Sequence, residues 1–135
     1  MITLELATQL IAAGEAEAAN QGLRLAFAVV DEGGHLVALH RMDGAPWIAP
    51  EVAIGKAWTA AAYRAPSAAQ GAKMKELHAF SASISAATQG RFTPQIGGLP
   101  VTDGDRVIGA MGASGGTGQQ DEDVVRSALG GSAGA

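Results

Sequence analysis

Three histidines and a few isolated charges are the side chains of this 135-residue chain whose types and spacing suit chemistry. His35 follows Asp31-Glu32-Gly33-Gly34, a turn sequence between two alternating apolar runs. There a neutral imidazole can ligate a metal or exchange a proton near neutral pH, and the plainer role is a turn histidine bonded to local backbone. His40 falls, by the period of two, on one face with Leu36, Ala38 and Met42, as a satisfied core or interface histidine does, and His78, beside Phe80, reads as an exposed helix-end residue. Arg41, Asp43 and Lys56 lie within or next to apolar elements, where an unpaired charge is costly. One expectation is therefore a salt bridge from Arg41 or Lys56 to Asp43 that pins a strand end to a helix. The other places Lys56 in a pocket, where it binds a carboxylate or acts as a base. Gly112-Ala113-Ser114-Gly115-Gly116, just before a short helix, suits a nest of backbone N–H groups for an anion, with Ser114 adding a hydroxyl. Close helix–strand packing is its structural use. Asp121, in the first turn of that helix, is favourable to the helix dipole.

Much chemistry is excluded by what is missing. With no cysteine there is no disulfide, thiolate metal site or iron–sulfur cluster. No His-Glu-x-x-His run, no evident Ser-His-Asp order and no phosphate-binding glycine motif appears. Nine basic residues against thirteen acidic ones give a net charge of -4 and no basic stripe, so nucleic acid is not an expected partner. No apolar run reaches the length of a membrane span, and the N-terminus, with Glu5 in its first turn, does not read as a signal peptide, so a cytoplasmic location is expected.

The elements that must position these residues follow from periodicity. Leu6, Leu10 and Ala13 with Ala7, Ile11 and Ala18 repeat at helical spacing from Thr3, a plausible N-cap, to Gln21, with Gly22 as the stop. Residues 23–42 alternate as a β-hairpin. Pro50 opens a helix through Glu51, Ile54, Ala57 and Ala61 to Tyr63, on which Val52, Lys56, Thr59 and Tyr63 share a stripe. A short helix from Pro66 to about Leu77 and a helical or irregular segment from Ala79 to Thr88 come next. Gln95–Thr102 and Arg106–Ser114 then flank Asp103-Gly104 as a second hairpin, and Gln119–Leu129 closes as a helix. Length and order predict one α+β domain over residues 1–135, an antiparallel sheet covered by helices, with a flexible tail from about residue 130. Only 4% of residues are aromatic while 47% are apolar, so the core must be built from small aliphatic side chains at close approach. Faces that such short helices leave uncovered predict a homo-oligomer.

Three stretches carry a family resemblance. They are Val30 through Ala38, continuing to Arg41-Met42-Asp43-Gly44-Ala45; Lys56-Ala57-Trp58-Thr59-Ala60-Ala61; and Gly97-Gly98-Leu99-Pro100 with Asp103-Gly104, Gly109 through Gly116 and Gln120-Asp121. In this order, over nearly the whole chain, they resemble the GlcG/HbpS family, which includes the C-terminal domain of PduO-type proteins. The resemblance implies a profilin-like core with about five antiparallel strands, homo-oligomers that can reach octamers, and haem binding in some members. The expected function is binding of a small molecule, with haem the leading cofactor. The candidate ligand-binding residues are then His35, Arg41, Asp43, Lys56, Ser114 and Asp121, with His35 the metal ligand and Arg41 or Lys56 the cation for a haem carboxylate. Two alternatives stand beside it: a small catabolic enzyme using Lys56, Asp43 or His35 as acid or base, and a structural accessory subunit.

Overall fold

The computed structural model describes residues 1–130, so the expected flexible tail beyond them lies outside the described residues. In chain order the elements are α1 (Leu4–Asn20), β1 (Ala26–Asp31), β2 (Leu36–Arg41), α2 (Ala49–Tyr63), α3 (Ser67–Met74), α4 (His78–Ala87), β3 (Gly98–Asp103), β4 (Arg106–Ser114) and α5 (Gly118–Ala128). The sheet is antiparallel throughout, in the order β2-β1-β4-β3. This is the expected α+β arrangement, with four strands among the described residues. Residues 92–95, just ahead of β3, form a loop and add no fifth strand. The N–H of Thr93 donates to the Thr59 hydroxyl at 2.8 Å and Pro94 has no N–H, so the segment cannot offer a ladder to a neighbouring strand.

Strand alternation sends β1 into two different cores. Leu25, Phe27 and Val29 join Ile11, Leu99, Met111, Val124 and Val125 under α1 and α5, each of them fully buried. Ala26, Ala28 and Val30 face the other way, toward Ala49, Ala53, Ala57 and Ala60 of α2. Alanine on both sides of that second interface lets helix and sheet approach closely. At Gly112, on the α2 face of β4, an added Cβ would lie 2.4 Å from the carbonyl oxygen of Ala53, so even alanine is too large there. Nothing among the described helices is long and apolar enough to cross a membrane.

Local chemistry sets the ends of the elements. The Thr3 hydroxyl accepts from Leu6 N–H as the cap of α1, and Thr117 and Gln120 form a reciprocal capping box at α5. The second hairpin turns one residue later than its sequence suggests. Asp103 still pairs with Arg106, and Gly104 takes the positive φ, at +62°, at the first loop position.

One expectation about faces is corrected by a β-bulge. Val29 pairs with Ala38 but Val30 pairs with Leu36, so Val37 is an extra residue. Leu36 therefore follows Val30 to the α2 side, while Ala38 stays with Val29, and the period of two that grouped Leu36 with His40 is broken. His40 itself is opposite Phe27 but half exposed, its Nδ1 3.3 Å from both carboxylate oxygens of Glu15 on α1. It is a surface histidine with an acidic partner, not a core one. His78 starts α4 and is exposed, as expected.

Candidate functional site

The β1–β2 turn is organised by one carboxylate. Asp31 Oδ1 accepts from Gly33 N–H at 2.9 Å and His35 N–H at 3.0 Å, and it lies 3.2 Å from His35 Nδ1. Partial burial pushes the Asp31 carboxyl upward, but the two backbone donors and the charge and hydrogen bond of the His35 ring outweigh it and hold the group below its ordinary value. A carboxylate can only accept, so the ring donates from Nδ1 and, when neutral, presents the lone pair of Nε2 outward. That is the carboxylate–histidine arrangement that orients metal-binding imidazoles. The His35 side chain is 83% exposed, which leaves the lone pair accessible.

The ring borders a cleft of about 490 Å³ lined by Gly33, Gly34, His35, Leu36, Ile54, Trp58 and Arg91. Its size is within the range of small-molecule sites, roughly 300–1,000 Å³. Ile54 and Trp58 are one turn apart on α2, and the bulge at Val37 turns Leu36 toward them. Gly34, at φ +84°, has no room for a side chain, because a Cβ would lie 2.8 Å from Trp58 Cδ1. Arg91 comes from the loop after α4, which Thr59 fixes to α2 through the bond to Thr93 N–H, while buried Phe92 packs on Tyr63 at 5.8 Å between centroids. The cleft thus combines an apolar wall, one cation and one oriented imidazole.

A second polar cluster is internal. Lys56 and Asp121 are 4% and 1% exposed, and Lys56 Nζ donates to Asp121 Oδ2 at 3.0 Å and to the Ala113 carbonyl at 2.9 Å. Asp121 Oδ1 accepts from Gly116 N–H at 3.0 Å. Burial pushes the Asp121 carboxyl above its ordinary value, against the downward pull of Lys56 and of that backbone donor. The pair ties α2 to the end of β4 and to the first turn of α5.

These contacts correct several sequence expectations. Neither Arg41 nor Lys56 bridges to Asp43: Lys56 is taken by Asp121, while Arg41 and Asp43 are exposed and make no ion pair among the described residues. Arg41 ends β2, so roughly 20 Å of extended chain separates it from His35 at the other end. The carboxylate met by Gly116 in the glycine-rich segment is the protein's own Asp121, and Ser114 is half-buried with no side-chain hydrogen bond. Of the six candidate residues only His35 lines the cleft. Leu36, Ile54, Trp58 and Arg91, which line the cleft, and Asp31, which holds His35, are not among the six candidates. Ile54 and Trp58 carried a signal, since they fall on a face of α2 different from that of Lys56. Arg91 carried none, because nothing local in the sequence brings residue 91 to residue 35.

Similar proteins share this framework. Residues 2–130 match the family model described as haem degrading protein HbpS-like. The protein GlcG of Escherichia coli K12 is 37% identical over 114 residues, covering 84% of this chain and 81% of its own. The crystal structure of the Klebsiella pneumoniae protein ORFY superimposes with a TM-score of 0.81 at 32% identity, covering 96% of this chain and 88% of that one. A PduOC protein solved as a complex with haem superimposes with a TM-score of 0.87 at 25% identity, covering 98% and 96% of the two chains.

Proposed function

The chain belongs to the HbpS-like family of haem degrading proteins, and from that premise we propose that it binds haem in the cleft beside Trp58, where His35 would hold the iron. The observation that carries this reading is the oriented, outward-facing imidazole at the mouth of an apolar cleft that also holds a cation. Haem is flat and largely apolar with two carboxylates, and its porphyrin supplies the equatorial iron ligands itself. The protein need provide only an apolar wall, a cation and an axial donor. Leu36, Ile54 and Trp58 serve as the wall, Arg91 as the cation and His35 Nε2 as the donor. Bound there, haem supplies redox and ligand-binding chemistry at iron. The chain's own part is to exclude water from one face of the ring and to hold the His35 proton on Nδ1 against Asp31.

Titration with hemin, followed by the Soret band, tests this. A saturable shift is expected, with affinity reduced tenfold or more in His35→Ala and by about tenfold in Asp31→Ala, which loses the orienting carboxylate. His40→Ala and His78→Ala should match the parent. A shift that survives His35→Ala unchanged would rule out the axial assignment.

The same reading includes self-association. Every residue of α4 is at least partly exposed, with Phe80 more than half exposed beside Leu77, and the edge strand β2 exposes Leu36 and Leu39. Sedimentation at micromolar concentration should give a homo-oligomer that Phe80→Asp weakens. A parent chain that sediments as a monomer contradicts it.

A further inference from the structure

The wall formed by Gly33, Gly34 and Trp58 borders two hollows. Besides the cleft that holds Arg91, it bounds a smaller one of about 130 Å³, lined also by Glu32, Ala61 and Arg64. Each hollow therefore has one arginine. Elsewhere the described arginines that meet carboxylates are Arg106, on Glu32 at 3.7 Å, and Arg126, on Glu122 at 3.1 Å. Among the described residues Arg64 and Arg91 have no carboxylate partner, and the one side-chain hydrogen bond of Arg91 is donated to the neutral side-chain amide oxygen of Gln89 at 3.2 Å. Arg24 and Arg41 also lack a carboxylate partner among those residues, but Arg64 and Arg91 line hollows on one wall, where the carboxylate of Glu32 is taken by Arg106.

The backbone is unusual at Arg64 and in the turn just before Arg91. Among the described residues the non-glycine positions with positive φ are Arg64, at +52°, and Gln89, at +53°. Arg64 is the left-handed C-cap of α2, and Gln89 with Gly90 makes the turn that delivers Arg91. Such conformations cost non-glycine residues free energy and concentrate at functional sites.

We propose that Arg64 and Arg91 each take one acidic group of the same ligand, so that the site selects a flat molecule with two separate carboxylates lying astride the Trp58 wall. This rests on the haem reading for the nature of the ring, and not on iron. The discriminating probe is therefore an iron-free porphyrin. Protoporphyrin, its uncharged dimethyl ester and hemin are titrated into the parent chain, Arg64→Gln, Arg91→Gln and His35→Ala, with far-UV circular dichroism and thermal unfolding as controls for folding.

Each arginine variant should weaken protoporphyrin by about three- to tenfold, as loss of a charge-assisted contact at an exposed site does, and leave the ester unaffected. Arg64→Lys and Arg91→Lys should recover part of the loss. Parent-like protoporphyrin affinity in both glutamine variants overturns the proposal. Equal losses for acid and ester also overturn it, because they would mean a damaged cleft, and so does a parent chain that does not bind protoporphyrin. If the arginine variants weaken protoporphyrin and hemin but not the ester, while His35→Ala leaves hemin untouched, the two-carboxylate site stands and only the iron assignment falls.

Discussion

Lys56→Met is expected to lower stability by about 3–5 kcal/mol, because it leaves the Asp121 carboxylate buried without its cation. For a domain of this size that corresponds to a fall in Tm of about 10 °C or more. The pair is internal, so the loss should be insensitive to salt, unlike that of a surface bridge. Asp121→Asn in the Lys56→Met background should recover a large part of the loss, since asparagine keeps an acceptor for Gly116 N–H while removing the charge. Losses that simply add in the double variant would mean that the two charges are not coupled.

The pH dependence has a definite sign. Removing Lys56 takes away the cation that opposes burial, so in the variant the folded-state pKa of Asp121 rises further above its ordinary value of 3.8. A carboxyl with a raised folded-state pKa binds its proton more tightly when folded, and stability falls as pH climbs from the unfolded value toward the folded one. The deficit of Lys56→Met relative to the parent should accordingly be smallest in acid, below the ordinary carboxyl value of 3.8, and grow toward neutrality. Thermal unfolding across pH measures it, and a deficit that shrinks toward neutral pH would contradict this account.

Gly112→Ala should cost about 2–3 kcal/mol although it adds only a methyl group to a strand. That methyl would sit 2.4 Å from the Ala53 carbonyl oxygen and 2.8 Å from the Ala57 nitrogen. Both are backbone atoms of α2, so the helix must lift from the sheet as a body. Because α2 carries Ile54 and Trp58 while the sheet carries the His35 turn, the same displacement should also weaken hemin binding. Gly90→Ala is the matched control. Its φ is +79° but no atom lies within 4 Å of an added Cβ, so the cost there is backbone strain alone, about 1 kcal/mol. Equal Tm values for Gly112→Ala and the parent would show that the α2–sheet contact can relax, contrary to the packing described above.

Periodicity and end signals by themselves determined the elements of this protein. The caps at Thr3 and Gly22, the alternation through Phe27 and Val29, and the Pro50 start of α2 each act within a few residues, and each is found where the sequence places it. The need for tight packing was also legible, from many glycines and alanines and few aromatics. The His35 turn was legible because the residues that present the ring, and the Asp31 carboxylate that orients it, are local. What lay beyond the sequence was partnership across distance. A lysine on an apolar helix needs a counter-charge, but whether Asp43 or Asp121 supplies it depends on how the end of β4 crosses α2, 57 residues away from Lys56 at Ala113. A one-residue bulge at Val37 likewise re-aimed Leu36 into the cleft, because a strand's side chains change face with every residue inserted. Arg91 reaches the same cleft only because Gly55 lets the 91–94 loop lie flat on α2 and Thr59 holds it there. These outcomes are set by backbone approach and register, which arise when the layers pack and leave no period in the sequence.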